Sequence, residues 1–177
     1  MLRGLRRARA DIATMNRLFP AAEQIARADG LERPGAEHLL MAALELDDPT
    51  ASEALRECGV TAGGLHEAVR AQHAAALEVV GIAVDDDAID AALPPFAPSR
   101  GPYRSEGSAQ RAFRRAVALA KHGRSPLLSA HVLLAVIESR RGTVARALAG
   151  LGVDHDRLAD VARRELDRHA RERSAGS

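Results

Sequence analysis

The chain has no tryptophan, one tyrosine and three phenylalanines among 177 residues, so aromatic residues make up only 2% of it. Apolar residues still amount to 46%, which leaves alanine, leucine and valine to fill the interior. Small and unbranched side chains suit close helix packing, whereas strands favour aromatic and β-branched residues. The scarcity of aromatics therefore argues for an all-α fold. The single cysteine, Cys58, excludes an intramolecular disulfide, and without a CxxC pair there is no cysteine-based metal site. Its place before Gly59 on an apolar face reads as a buried structural thiol. No apolar run approaches the roughly 18 residues of a membrane-spanning helix. The first residues lack the apolar stretch of a secretory signal, so cytoplasmic residence is the expectation.

Excess charge of one sign is missing as well. A net charge of +1 exerts no global pull toward nucleic acid or anionic lipid. The charge is uneven, with Arg3, Arg6, Arg7 and Arg9 near the N-terminus and Asp85, Asp86 and Asp87 forming an acidic knot near the middle. The knot lacks the glycine and terminal glutamate of a calcium loop. No GxxxxGK[ST] occurs, so no phosphate-cradling loop for ATP is expected. No GxSxG or comparable nucleophile motif occurs either. Neither catalytic residues nor a cofactor is expected.

What is present is an internal repeat. Residues 30–70 recur at 123–163 at a gapless offset of 93 positions, with twelve identities. Gly30, His38, Leu40, Ala42, Glu45, Thr50, Ala54, Leu55, Gly59, Val60, Leu65 and Arg70 return as Gly123, His131, Leu133, Ala135, Glu138, Thr143, Ala147, Leu148, Gly152, Val153, Leu158 and Arg163. Two copies of one unit present two related surfaces, and function belongs at equivalent sites on them.

Periodicity sketches the helices. Residues 1–14 form a basic arm, either frayed or the start of the first helix. Phe19, Ala22, Ile25 and Ala26 make 16–28 an amphipathic helix that stops at Gly30. Further helices are expected at 36–46, from Pro49-Thr50 to Cys58 with Gly59 as the stop, and from Leu65 onward. The second copy predicts helices at 106–121, 129–140, 143–150 and 155–171, with Ser129 and Thr143 as N-caps. Residues 77–82 echo the segment before Gly59 and Gly152, and a helix is expected over 86–93. Pro94, Pro95, Pro98, Gly101 and Pro102 make 94–105 a linker. The layout is an arm (1–14), a first repeat (15–80), a connecting segment (81–105), a second repeat (106–171) and a frayed tail (172–177).

The unit Ala26, Asp29, Gly30, followed after seven residues by Glu37-His38-Leu39-Leu40-Met41-Ala42-Ala43-Leu44, resembles the Clp N-terminal repeat. Ala54-Leu55, Gly59-Val60 and Leu65 continue the likeness, and the second copy repeats it around His131. The resemblance covers about residues 15–171. It implies two pseudo-symmetric four-helix repeats packed as one globular domain, as found ahead of the rings of Clp ATPases. It also implies a protein-binding role: a stand-alone accessory, adaptor-like or competitor protein of a Clp chaperone-protease, with the ATPase, its adaptors or protease clients as partners. In ClpC-type relatives this domain binds phosphorylated arginine through the glutamate before the repeated histidine and a nearby hydroxyl. Carried over, those positions are Glu37 and Ala36 in the first copy, and Ala130 and Ser129 in the second. Each pocket thus holds one of the two groups. Only the first offers the carboxylate that a guanidinium needs for a charge-assisted contact.

The residues also admit plainer roles. His38 and His131, each beside two apolar residues in a first turn, read as packed residues bonded to backbone, because neither copy supplies a neighbouring cysteine or second histidine for zinc. Glu37 serves the helix dipole as well as it would a ligand. His66, His73, His122, His155 and His169 follow no common spacing and read as solvated. Leu40, Leu133, Gly59 and Gly152 are framework positions. The alternative function is a helical regulatory protein that holds nucleic acid with its basic arm, recognisable by steep salt dependence.

Overall fold

The computed structural model describes residues 2–79 and 107–175, with side chains from 7 to 76 and from 107 onward. The expected linker at 94–105, the helix at 86–93 and the acidic knot Asp85–Asp87 lie outside the described residues. Eight helices occur among the described residues, and no strand. They are α1 (Leu2–Ala28), α2 (Ala36–Leu44), α3 (Thr50–Glu57), α4 (Ala62–Val79), α5 (Gly107–His122), α6 (Ser129–Ile137), α7 (Thr143–Gly150) and α8 (His155–Ala175). Of the two readings of the basic segment, the structure shows the start of the first helix. The last helix continues to Ala175 rather than ending at 171.

The repeat is visible helix for helix. The starts of α2, α3 and α4 return at α6, α7 and α8 with the offset of 93. Gly59 and Gly152, both at positive φ (80° and 71°), close the third helix of each copy. The first helices depart from that register. The turn before α2 places Gly30 at φ 75°, but the turn before α6 places Arg124, not Gly123, at φ 52°. Helix α5 therefore runs one residue further and its loop is one residue shorter. In the resulting offset of 94, Phe19 corresponds to Phe113, and these two rings meet edge-on with centroids 4.9 Å apart.

The central helices α2 and α6 pack on each other, each flanked by the first helix of its own repeat. The third helix of each repeat packs on the fourth of the other, α3 on α8 and α7 on α4. Leu39, Leu40, Val132 and Leu133 are fully buried in this interior. Alanines at Ala22, Ala26, Ala43, Ala54, Ala116 and Ala147 let the helices approach closely. Cys58 is half-buried after α3, and burial pushes its thiol up.

The contact between repeats is asymmetric. Helix α3 packs on α6, but its counterpart α7 does not pack on α2 to a similar extent. The cause is Asp48. Its carboxylate accepts the Ser129 N–H (2.9 and 3.1 Å) and the Ser129 hydroxyl (2.7 Å). Thr50 Oγ1 accepts the Ala130 N–H at 3.1 Å, and Ser129 Oγ accepts the Ala51 N–H at 3.0 Å. The first turn of α6, whose N–H groups have no partner within the helix, is thus capped by the other repeat. Ser129 is not the N-cap of its own helix, as its sequence position suggested; it is the first helical residue, and Leu128 precedes it as N-cap. Thr143 is likewise the first residue of α7, with Gly142 at φ 112° as N-cap. At the position equivalent to Asp48 stands Arg141, which cannot accept hydrogen bonds.

Asp48→Ala is expected to lower the unfolding free energy by roughly 1.5–3 kcal/mol, because it strips charged acceptors from partly buried donors. The exposed Arg141→Ala should cost no more than about 0.5 kcal/mol. Urea denaturation of the two variants checks this, and equal midpoints would refute the cap.

Candidate functional site

Pro34 and the extended Gly35 (φ −88°, ψ −175°) set the start of α2. The Gly35 N–H donates to His38 Nδ1 at 2.9 Å, as the Leu128 N–H donates to His131 Nδ1 at 3.1 Å. Both repeated histidines therefore occupy the place where a glutamate or glutamine closes a capping box. His38 and His131 are 1% and 3% exposed. Burial pushes His131 down to about 4.

Glu37 does not project freely from the helix end, as its first-turn position suggested. Its side chain is 16% exposed and turns back, with Oε1 3.4 Å from His38 Nδ1 and 3.6 Å from His73 Nε2. A Cβ on Gly35 would come within 2.5 Å of that oxygen, so glycine makes room for the carboxylate. At the equivalent place in the second repeat, Ser129 and Ala130 are both fully buried. The Ser129 hydroxyl is occupied by Asp48, Thr50 and Ala51, so neither residue offers a surface to a ligand.

Where Asp48 shuts the second site, the first remains open. A groove of about 670 Å³ runs between the start of α2, helix α5, the end of α6 and the start of α7. Ala36, Glu37, Ser108, Arg111, Arg141 and Thr143 line it. Ala112, Val136 and Val144 supply its apolar floor. Arg115 is held by Glu138 through two hydrogen bonds of 2.6 and 2.7 Å. The N-termini of α2 and α7 both border the groove and add partial positive charge. The groove thus combines a carboxylate, guanidinium groups and a hydroxyl over an apolar base.

Sequence reasoning missed Ser108, Arg111 and Arg141 because they lie far from Glu37 along the chain. The exchange of Asp48 for Arg141 at equivalent positions was the available signal. The basic segment begins α1, where Arg7 faces Asp11 at 3.9 Å.

A polar cluster lies behind the groove. His73, read as solvated, is 20% exposed, and its ring meets that of His38 edge-on with centroids 5.6 Å apart. Helix α4 thereby supplies the second histidine that local spacing lacked, and Glu37, His38 and His73 place ligand-type atoms within 4.8 Å of one another. Asp29 Oδ2 lies 3.4 Å from His38 Nε2, and Arg70 lies 3.4 Å from Asp29 Oδ1. Burial pushes the Asp29 carboxyl up, but His38, His73 and Arg70 outweigh it and hold it below the ordinary carboxylate range.

Two four-helix units that cross-pack about a pair of central helices define an all-helical tandem-repeat domain. The Clp repeat (R) N-terminal domain matches residues 13–89 and again residues 105–177. The chain belongs to that family, whose members are protein-interaction modules of Clp chaperones. Among solved structures, the chain is similar to the N-terminal domain of the caseinolytic protease associated chaperone ClpD from Arabidopsis thaliana. The TM-score is 0.59 at 18% identity, over 87% of this chain and 92% of that one. It is also similar to the Hsp104 N-terminal domain from Candida albicans, with a TM-score of 0.55 at 16% identity, over 82% and 84%. At these identities the likeness speaks for the fold. No curated protein matches. No helix among the described residues is long and apolar enough to cross a membrane.

Proposed function

We propose that the chain is a non-enzymatic accessory of a Clp chaperone-protease that docks a polypeptide segment in the groove at the start of α2. One observation carries this reading: of two equivalent inter-repeat sites, one is closed by its own hydrogen bonds and the other is left open. An apolar floor with a few placed charges is what a peptide-binding groove requires. Glu37 offers a carboxylate to a basic side chain, and Arg111 and Arg141 offer counter-charges to an anionic one. Phosphoarginine carries both characters on one side chain, so proteins bearing it belong among the candidate partners, at this site and not at the closed one. Delivery of clients, competition with the ATPase's own N-terminal domain and capture of its ligands all use such a groove.

Affinity capture from the native host, read by mass spectrometry, tests the proposal. Wild-type protein is expected to enrich Clp ATPase subunits or their adaptors, and Ser108→Trp, which fills the groove from the half-buried face of α5, is expected to lose them. Equal enrichment by both would overturn the groove. The absence of Clp subunits and adaptors from both would overturn the accessory role.

A further inference from the structure

We propose that the polypeptide docked in the groove is an acidic segment, anchored by an Asp or Glu side chain at the start of α7; this rests on the groove being a docking site. The closed site holds the pattern for such a contact. There the Asp48 carboxylate accepts the Thr50 N–H at 3.3 Å and the Ser129 N–H at 2.9 Å. Those two residues are the first of α3 and of α6, so one carboxylate joins two helix N-termini. It also accepts the hydroxyls of Thr50 and Ser129, at 2.5 and 2.7 Å. A charged acceptor suits this place, because first-turn N–H groups lack partners within the helix and carry partial positive charge.

With the offset of 93, the counterparts of Asp48, Thr50, Ala51, Ser129 and Ala130 are Arg141, Thr143, Val144, Ala36 and Glu37. All of these counterparts line the groove. The cavity therefore lies where the seal would be, and the carboxylate is the part that the loop before α7 does not supply. Helix α7 has no acidic residue in its first turn, and its N-cap Gly142 has no side chain to accept from it. Thr143 keeps the hydroxyl that Thr50 uses. Ala36 has no hydroxyl to match that of Ser129, so the contact falls on the α7 side.

The charges around the groove favour an anion over a cation. Of the side chains that line it, Glu37, Arg111, Arg115, Glu138 and Arg141 are charged. Arg115 and Glu138 satisfy each other. Glu37 is turned back against His38 and His73. Arg111 and Arg141 are exposed and have no ion-pair partner among the described residues. Helix α5, which carries Arg111, holds no acidic residue that could serve them. An incoming carboxylate thus meets two unpaired guanidiniums, which bind carboxylates through charge-assisted hydrogen bonds, together with the Thr143 hydroxyl and the positive end of α7. Apolar side chains beside it reach Ala112, Val136 and Val144 on the floor.

A random peptide library displayed on phage and selected on the full-length protein tests the proposal. Peptides recovered on wild type but not on Ser108→Trp are those that enter the groove, and they are expected to share an Asp or Glu flanked by apolar residues. Replacing that residue in a synthetic peptide by Asn or Gln should weaken binding about tenfold. Arg141→Ala should weaken it about fivefold. Arg114→Ala, an exposed change on α5 outside the groove, should bind as wild type. Arg141→Asp places a carboxylate at the position of Asp48 and is expected to abolish binding, with helical circular dichroism unchanged. Groove-dependent peptides without an acidic excess, or indifferent to Arg141→Asp, would overturn the acidic occupant and leave the groove standing. Recovery of the same peptides on wild type and Ser108→Trp, or of none on either, would overturn the groove and its occupant together.

Discussion

Leu133→Ala is expected to lower the unfolding free energy by about 2–5 kcal/mol, through lost burial and the cavity left behind. Leu133 is fully buried on α6, which packs against α2, α3, α5 and α8 at once. Helices on several sides restrain relaxation, and a cavity that cannot collapse sets the cost toward the upper end of that range. Leu40 holds the equivalent place on α2. Since small domains are stable by only about 5–15 kcal/mol, the variant should show a marked fall in its urea midpoint. An unchanged midpoint would mean that the inward face of α6 is misassigned.

Acidification is expected to remove about 3 kcal/mol of stability through His131 alone. Its folded pKa is depressed from 6.5 to about 4, chiefly because burial disfavours the cation. Protonation would also set an N–H at Nδ1 against the Leu128 N–H that now donates there. Between these two values the unfolded chain binds a proton that the folded chain does not, so stability falls as pH falls. The contribution is fully present above pH 6.5 and is lost as pH drops through 4; each pKa unit of difference is worth about 1.4 kcal/mol. His131→Gln keeps an acceptor at the third helical position, where glutamine serves the capping box, and removes the titration. The difference in stability between wild type and variant, followed from pH 7 to 4, should shrink or change sign by that amount. Parallel curves would show that His131 does not govern this window.

The helices of the central pair were legible because their signals are local. Leu40 and Leu133, matched by the repeat, are both fully buried, and α2, α3, α6 and α7 begin where the repeat places them. The first helices were legible only in outline. The identity of Gly30 and Gly123 suggested one register throughout, yet the loop before α6 is shorter and Arg124 takes the left-handed position. The pairing of Phe19 with Phe113 follows from that one-residue change, and no local pattern announces it. The candidate site was half legible. Glu37 was singled out by its place before a repeated histidine, but its side chain turns inward toward His73, which arrives from α4.

The sequence by itself determined the helical class, the duplication and the lack of a phosphate loop, since composition and short-range spacing carry each of these. Only the tertiary structure decided that one of two equivalent sites is sealed and the other open. That outcome rests on Asp48 reaching Ser129 across 81 positions of sequence, while Arg141 stands at the matching place with nothing to accept from α2. Whether a helix N-terminus is capped from another repeat or left facing a groove depends on which side chain a distant turn brings to it. Local patterns fix helices one at a time, and the contacts that couple them form only when the repeats pack.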